Sequence, residues 1–594
     1  MKTKIWSIST TVRNPNRLKE FLEILKLLEG KIWNNELQKT FQILLIQYRC
    51  YTPGDVNLSV SQIEILEAPT KEMTYKEAED IFYSKNYKDP PMRGRTSFKP
   101  LEKWGLAFII DKKVFISDLG NQLLNGEIDI GDAYFKSMLK WQYPNPLSID
   151  FTEKEGYNIK PFVATLKIID KVNKLCIERG EKAKGISREE FENFVLSTIN
   201  YKDIDAVAEK ILDYRYEISK ISDWEQKNLF RQNFVDTYLK NYKNATISNM
   251  KDYADNIIRN FRLTRYIYIR GGGFYIDLEP RRMIEIYSIF EKDNAEATKM
   301  KKQEYINYLS DFKTYVLPWE TVAKLKDISN GILNEVVSLE NKLNQAPTTI
   351  SAADTKDSLN EQIRFLRNRR TELQNLEIKS DFSENDKINE CINAITNIRK
   401  QAEKPSVALE KWTNVALNII NDAVKIKPNY TAGDDNEPTF TAPGKMPDLE
   451  FYYETFCGIC EVTLLTTRDQ WYNEGQPVPR HLRDFEDNNK GLTNYCLFIS
   501  PKLHRDTANT YWIVNKYEFE GQKQNIIPLN LGQLINILKF VKALKEQGKQ
   551  FKHQYLKTLY DNILDISDVN SSSDWIEGIP AKLKEWEKWL LSRA

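Results

Sequence analysis

Two strand-like runs carrying an acid at corresponding ends, DLEFYYE (Asp448 to Glu454) and CGICEVTLL (Cys457 to Leu465), constrain this chain more than any other stretch. Apolar and aromatic residues dominate both, and the runs meet at about Glu454-Thr455, so they read as one β-hairpin. In that hairpin Asp448 falls opposite Glu461, and directly opposed residues place their Cβ atoms about 5 Å apart. Like charges at that separation repel, and two acids so placed ask for a cation between them. Oxygen-only ligands suit Mg²⁺, which takes one or two carboxylates and completes its shell with water and a substrate phosphate. The chemistry implied is metal-assisted phosphodiester hydrolysis. A carboxylate ending an exposed strand is ordinarily solvated surface, so the reading needs support from other residues.

At 594 residues the chain is too long for one core, and roughly three or four domains are expected. With 41% hydrophobic and 28% charged residues it has the composition of an ordinary soluble protein. A net charge of +1 gives no global attraction to nucleic acid, so a DNA site has to come from local clustering of Arg and Lys. Six scattered cysteines form no disulfide framework and point to a reducing compartment. The N-terminus MKTKIWSISTTVRNPNR lacks the apolar run of a signal peptide, and no stretch approaches a membrane span. The expectation is a cytoplasmic protein with no membrane partner. Cys457 and Cys460 form a lone CxxC; His481, His504 and His553 make no metal array with it, so it reads as strand packing.

Four segments emerge. Residues 1–150 and 151–295 each look like a winged helix. In the first, the hairpin GLAFII-DKK-VFIS leads into a helix at Asp118, then into the aromatic-rich helix DAYFKSMLKWQYPNP, stopped at Pro144. In the second, Ser187 and Glu190 form a capping box, and the helix DYADNIIRNFRLTR runs into the hairpin YIYIR-GGG-FYIDL, with its turn at Gly271 to Gly273. Neither GxGxxG nor GxxxxGK[ST] is present, so the glycines read as a wing turn. Basic residues cluster beside both hairpins: Arg93, Arg95 and Lys99 by the first, and Arg259, Arg262, Arg265 and Arg270 by the second, alternating with Phe261, Tyr266 and Tyr268. Helix plus wing enters DNA grooves, and this is the candidate DNA face. Residues 296–400 carry long polar helices with the look of a linker. Residues 401–594 alternate strands and helices, a mixed sheet flanked by helices. The fold class expected is multidomain α+β.

In chain order, LKWQYP, PDLEFYYE, CEVT, QPVPRH, YCLFISP and NIIPLNLGQ resemble the AlwI-like type IIS restriction endonucleases, a family that includes site-specific nicking enzymes. The likeness runs from KIWSISTTVRNPNR and LEGKIW to near residue 540. It implies an N-terminal recognition region of winged-helix subdomains, a helical linker and a C-terminal nuclease domain of the PD-(D/E)XK kind. It matches the family's metal-site acids to Asp448 and Glu461, and further family acids to Glu410 and Glu474. The departure is Thr463, which stands where the general pattern has a lysine that aligns or deprotonates the attacking water. From the residues alone, Glu410 interrupts a helix whose buried stripe is Ala408, Trp412, Val415, Ala416 and Ile419, and Glu474 sits in a polar loop, NEGQP. Arg480 and His481 follow the hairpin, placed for a phosphate contact.

The expected activity is Mg²⁺-dependent cleavage of double-stranded DNA outside a short asymmetric site. Alternatives are a strand-specific nicking enzyme acting as the large subunit of a heterodimer, and a winged-helix regulator with a degenerate C-terminal domain. An RNA-processing enzyme would call for aromatic stacking platforms that the sequence does not offer. A second copy of the chain or a small nuclease subunit is the partner expected for the second strand.

Overall fold

The computed structural model describes residues 3–8, 15–54, 56–67, 72–148, 151–243, 245–271, 274–312, 316–381, 385–401, 404–420, 422–434, 438–443 and 446–593. It is a mixed α/β structure in two compact units, Met1–Ile269 with Tyr275–Lys324, and Arg270–Phe274 with Leu325–Ala594. Among the described residues no helix is long and apolar enough to cross a membrane.

In the first unit, helix α1 (Pro90–Lys103) leads to strands β1 (Ala107–Ile110) and β2 (Lys113–Ile116), paired antiparallel with Ala107 opposite Ile116. Asp111 and Lys112 between them both take positive φ, 48° and 60°, the backbone of a tight two-residue hairpin turn. The Ser117 side chain then accepts from the Gly120 N–H and starts α2 (Asp118–Leu124). Helix α3 (Ile130–Lys140) ends with Trp141 in an extended conformation, three residues short of Pro144. A three-stranded sheet has the order β3 (Ile186–Ser187), β5 (Tyr275–Leu278), β4 (Ile267–Arg270). Gly272 and Gly273 of the expected wing turn lie outside the described residues. Ser187 and Glu190 do form a capping box, but a π-helical turn, Phe191–Val195, follows the single α-turn they begin.

Helix α4 (Ile247–Leu263) precedes β4. Its 3.6-residue period sends Phe261 into the core and leaves Arg259 and Arg262 exposed. Tyr266 is buried too and stacks on Phe135 with centroids 3.9 Å apart. These two aromatics between the arginines are therefore core residues, and the expected basic-aromatic face keeps only half-buried Tyr268.

In the second unit, α5 (Val322–Lys342) and α6 (Lys356–Asp381) are joined by charge, Arg370 to Glu335 at 2.7 Å and Arg369 to Glu340 at 3.1 Å. Helix α7 (Asn385–Thr396) looks as polar in sequence, yet its stripe Ile388, Cys391 and Ile395 is buried in the main core of this unit. Spacing of three and four residues puts those side chains on one helical face, and that face packs on α8 (Pro405–Ile419) and α12 (Leu531–Glu546).

The central sheet runs β10 (Ile526–Asn530), β9 (Thr493–Ser500), β8 (Phe456–Val462), β7 (Leu449–Tyr452), β6 (Lys425–Pro428). Strands β8, β9 and β10 are parallel neighbours, while β7 is antiparallel to both β8 and β6. Pro528 sits on the edge strand β10, where a missing N–H is tolerated. Asn530 then caps α12 in a box with Gln533. Helices α9 (Arg468–Glu474), α10 (Pro477–Asn488), α11 (Arg505–Lys516), α13 (His553–Asp565) and α14 (Ser572–Arg593) complete the unit.

Gly458 is opposed on β7 by Phe451 and on β9 by Tyr495. A Cβ there would lie 2.1 Å from the Tyr495 carbonyl oxygen and 2.6 Å from the Phe451 ring. Gly458→Ala is expected to destabilise this unit by about 1–3 kcal/mol, since neither neighbour is a flexible tip. A lowered urea midpoint checks it; an unchanged midpoint contradicts the packing.

Candidate active site

Asp448 immediately precedes β7, and the register Leu449 to Cys460 continues to set it against Glu461. Two hydrogen bonds lock the pair: the Asp448 N–H donates to Glu461 Oε2 (3.3 Å) and the Val462 N–H donates to Asp448 Oδ2 (2.8 Å). Glu461 is 5% exposed, because β8 is flanked by β7 and β9. Burial raises the pKa of Asp448 well above the carboxylate range, and Glu461 adds to the rise. Glu461 is raised for the same reason, by burial first and by Glu474 and Glu410 besides.

Glu410 is not on the surface of α8; it is buried, and its Oε2 accepts the Ala442 N–H at 3.0 Å. Burial and the charge of Asp448 push its pKa up to about 8. Glu474 is the last residue of α9 and not a loop residue as NEGQP predicts. Burial raises it, while a hydrogen bond from Thr463 and the proximity of His481 favour its charged form. The Leu465 N–H donates to the Thr463 hydroxyl oxygen at 3.2 Å, which leaves that hydroxyl's proton for Glu474. Sequence reasoning missed this role: it marked Thr463 only as a lysine that is absent.

His481 lies on α10 with Nδ1 2.7 Å from Glu461 Oε1, one proton bridging the two. Its pKa is lowered by burial and then by Arg480. Arg480 itself is exposed. Thus α8, the end preceding β7, β8, α9 and α10 bring Glu410, Asp448, Glu461, Glu474 and His481 into one electrostatic cluster.

Glu450, two residues from Asp448, is the control. Burial acts on it too, but Lys427 (2.7 Å), the Tyr452 hydroxyl (2.6 Å) and Asn429 (3.0 Å) hydrogen-bond its carboxylate, and its pKa is lowered. One acid of PDLE is a satisfied structural group and the other is charge-stressed.

Among the described residues no group of three or more His, Cys, Asp and Glu side chains already stands in metal-holding geometry. The donor chemistry nonetheless fits a hard divalent cation: four carboxylates, all with raised pKa, three of them raised in part by another member of the set. Cys457 and Cys460 are both buried and unpaired. Three residues apart on one strand, they point to opposite faces and share no site.

The stress sets a pH dependence. Glu410 has an ordinary value of 4.5 and about 8 when folded, so the folded state holds its proton longer than the unfolded state. Stability from this group is complete below about 4.5 and is lost as pH rises through about 8. The metal-free protein is expected to melt lower at pH 8.5 than at pH 5.5, and Glu410→Gln is expected to narrow that difference. Calorimetry of both proteins at both pH values checks it; equal differences would contradict the burial of this charge.

The cations expected to face DNA are mostly engaged within the first unit. Arg95 meets Asp89 (2.6 Å) and Gln38 (2.9 Å), Lys99 meets Glu102 (2.5 Å), and Arg93 lies 4.5 Å over the Tyr87 ring. Arg259 pairs with Asp255 (2.9 Å), and Arg265 makes two bonds to Asp129 (2.9 and 3.1 Å). Arg262 is exposed and Arg270 closes β4.

The family model described as AlwI restriction endonuclease matches residues 104–537, most of the chain. A search of curated proteins finds no match. Similar solved structures include the small subunit (R.BspD6I2) of the heterodimeric restriction endonuclease R.BspD6I, with 22% identity, TM-score 0.29 and coverage of 32% of this chain and 98% of that one. Another is the BpuJ1 endonuclease binding domain in complex with pyrene- and phenanthrene-modified DNA, with 16% identity, TM-score 0.32 and coverage of 50% of this chain and 91% of that one.

Proposed function

The chain belongs to the AlwI restriction endonuclease family, and from that premise we propose that it is a type IIS enzyme: it binds a short asymmetric site in double-stranded DNA and hydrolyses a phosphodiester outside it. The observation that carries the reading is the meeting of Glu410 and Glu461, both buried, with half-buried Asp448 and Glu474, all four held above their ordinary pKa. Acids with no other work are not kept in this state, since an isolated buried charge is strongly unfavourable.

Asp448 and Glu461 would hold Mg²⁺, which when bound supplies the charge neutralisation and water activation that phosphodiester hydrolysis needs. Glu474, steadied by Thr463, orients the attacking water and accepts its proton in place of the absent lysine. Glu410, electrostatically coupled to Asp448, would assist a second ion or the same water. His481 holds Glu461 in place through Nδ1, and Arg480 stands ready for a phosphate oxygen. The products are a 5′-phosphate and a 3′-hydroxyl.

In this proposal residues 1–150 and 151–295 are winged-helix-type recognition subdomains, 296–400 the linker, whose last helix α7 packs into the core of the segment that follows, and 401–594 a PD-(D/E)XK nuclease domain acting in the bacterial cytoplasm. Incubating the protein with plasmid and Mg²⁺ and sequencing the ends tests it. Cuts at one fixed distance from an asymmetric sequence are the expected result. Intact plasmid under all divalent cations would leave a DNA-binding regulator as the reading.

A further inference from the structure

Beyond the acidic cluster, the carboxyl ends of the parallel strands β8 and β9 open into two loops, residues 463–467 and 501–504, which lead into α9 and α11. Crevices at the carboxyl ends of parallel strands are where α/β sheets bind ligands. One side chain ties the loops together. Gln470, 0% exposed, donates from Nε2 to the Leu465 carbonyl (2.6 Å) and the Lys502 carbonyl (3.0 Å), and its Oε1 accepts the His504 N–H (2.7 Å). Trp471 adds a bond from Nε1 to the Thr510 hydroxyl (3.0 Å).

Lys502 on the second loop, and Arg468 and Arg505 opening the helices that follow the two loops, are all exposed. Asp506 is the acid they share, and only loosely: it lies 4.0 Å from Arg468, 3.8 Å from Arg505 and 3.9 Å from the His504 ring. The pairs Arg370–Glu335 and Lys427–Glu450 of this unit, by contrast, close to 2.7 Å. Asp469, the other rim acid, has its carboxylate 3.3 Å from the Thr467 hydroxyl. The rim therefore carries excess positive charge on braced backbone, and Arg468 opens the same helix that ends in Glu474.

We propose that these two loops are a phosphate rim that grips the DNA backbone next to the scissile phosphate, with Arg468 and Arg505 as the contacts and Gln470 as the residue that positions them. The proposal rests on the nuclease reading. A backbone phosphate takes planar, two-pronged donors in preference to point charges, and six residues of helix separate Arg468 from Glu474 by about 9 Å, a reach that spans roughly one nucleotide step.

The test uses the full-length protein on plasmid carrying its site. Arg468→Ala with Arg505→Ala is expected to lower kcat/KM by about tenfold per arginine, and to make the log-log salt dependence of cleavage shallower by about 2. Arg468→Lys with Arg505→Lys is expected to restore the salt slope and only part of the rate. Gln470→Met is expected to lower kcat/KM with the salt slope kept; if that variant fails to fold, the arginine pair decides alone. Wild-type cleavage together with an unchanged rate and slope in the arginine variant overturns the rim. Failure of the wild type to cut at all overturns the nuclease reading instead.

Discussion

Asp448→Ala and Glu461→Ala proteins are expected to lose cleavage by about a thousandfold or more, a barrier increase of about 4 kcal/mol, while still shifting site-bearing DNA in Ca²⁺. Each substitution removes one of the two acids that lock together at the ends of β7 and β8. Glu461→Ala also removes a neighbouring charge that raises the pKa of Asp448, so its metal-free form is expected to melt higher than the wild type. The two readouts move in opposite directions, which separates a lost site from a lost fold. Asp448→Asn and Glu461→Gln, with the same shape and no charge, are expected to behave alike. Loss of site-specific binding in a well-folded variant would count against recognition and cleavage residing in different parts of the chain.

The second expected result concerns strands. Among the described residues one such acidic cluster is found, and if it is the proposed hydrolytic centre, a single bound molecule cuts one strand in one geometry, because the strands of a duplex run antiparallel. An asymmetric site has no two-fold axis that would bring a second copy to the other strand. Dilute protein is expected to convert supercoiled plasmid to the nicked form first. Linear product is expected to rise steeply with protein concentration, or to require a small nuclease subunit supplied separately. Sedimentation alongside gel time courses checks this; linear DNA formed with no nicked intermediate, at concentrations where the protein is monomeric, would refute it.

Much of this was readable before the structure, for identifiable reasons. The pairing of Asp448 with Glu461 follows from the period of two in strands and from a short turn at Glu454-Thr455, and the register bears that out. The β1–β2 hairpin and the mixed sheet follow from equally local signals. The sequence NEGQP misplaces Glu474, because Gly475 and Pro477 read as a loop. Pro477 instead occupies the first turn of α10, where its missing N–H does no harm, and the break is a joint between two helices. The arginines were harder. Arg265 and Asp129 are 136 residues apart, and no local pattern predicts that a basic cluster will be neutralised by a partner so distant in sequence. Burial of Glu410 was hidden likewise, since its hydrogen-bond partner Ala442 comes from a separate loop.

The seating of α7 bears on any attempt to transplant the proposed cutting activity onto a DNA-binding protein. Composition places the start of the proposed cleavage domain near residue 401, and Ile388, Cys391 and Ile395 lie upstream of that point and pack against α8 and α12. A fusion partner joined at 401 would inherit those two helices bare, as an apolar surface that invites aggregation. The usable seam lies before Asn385, so the helix that looks in sequence like part of the tether is a wall of the machine it tethers.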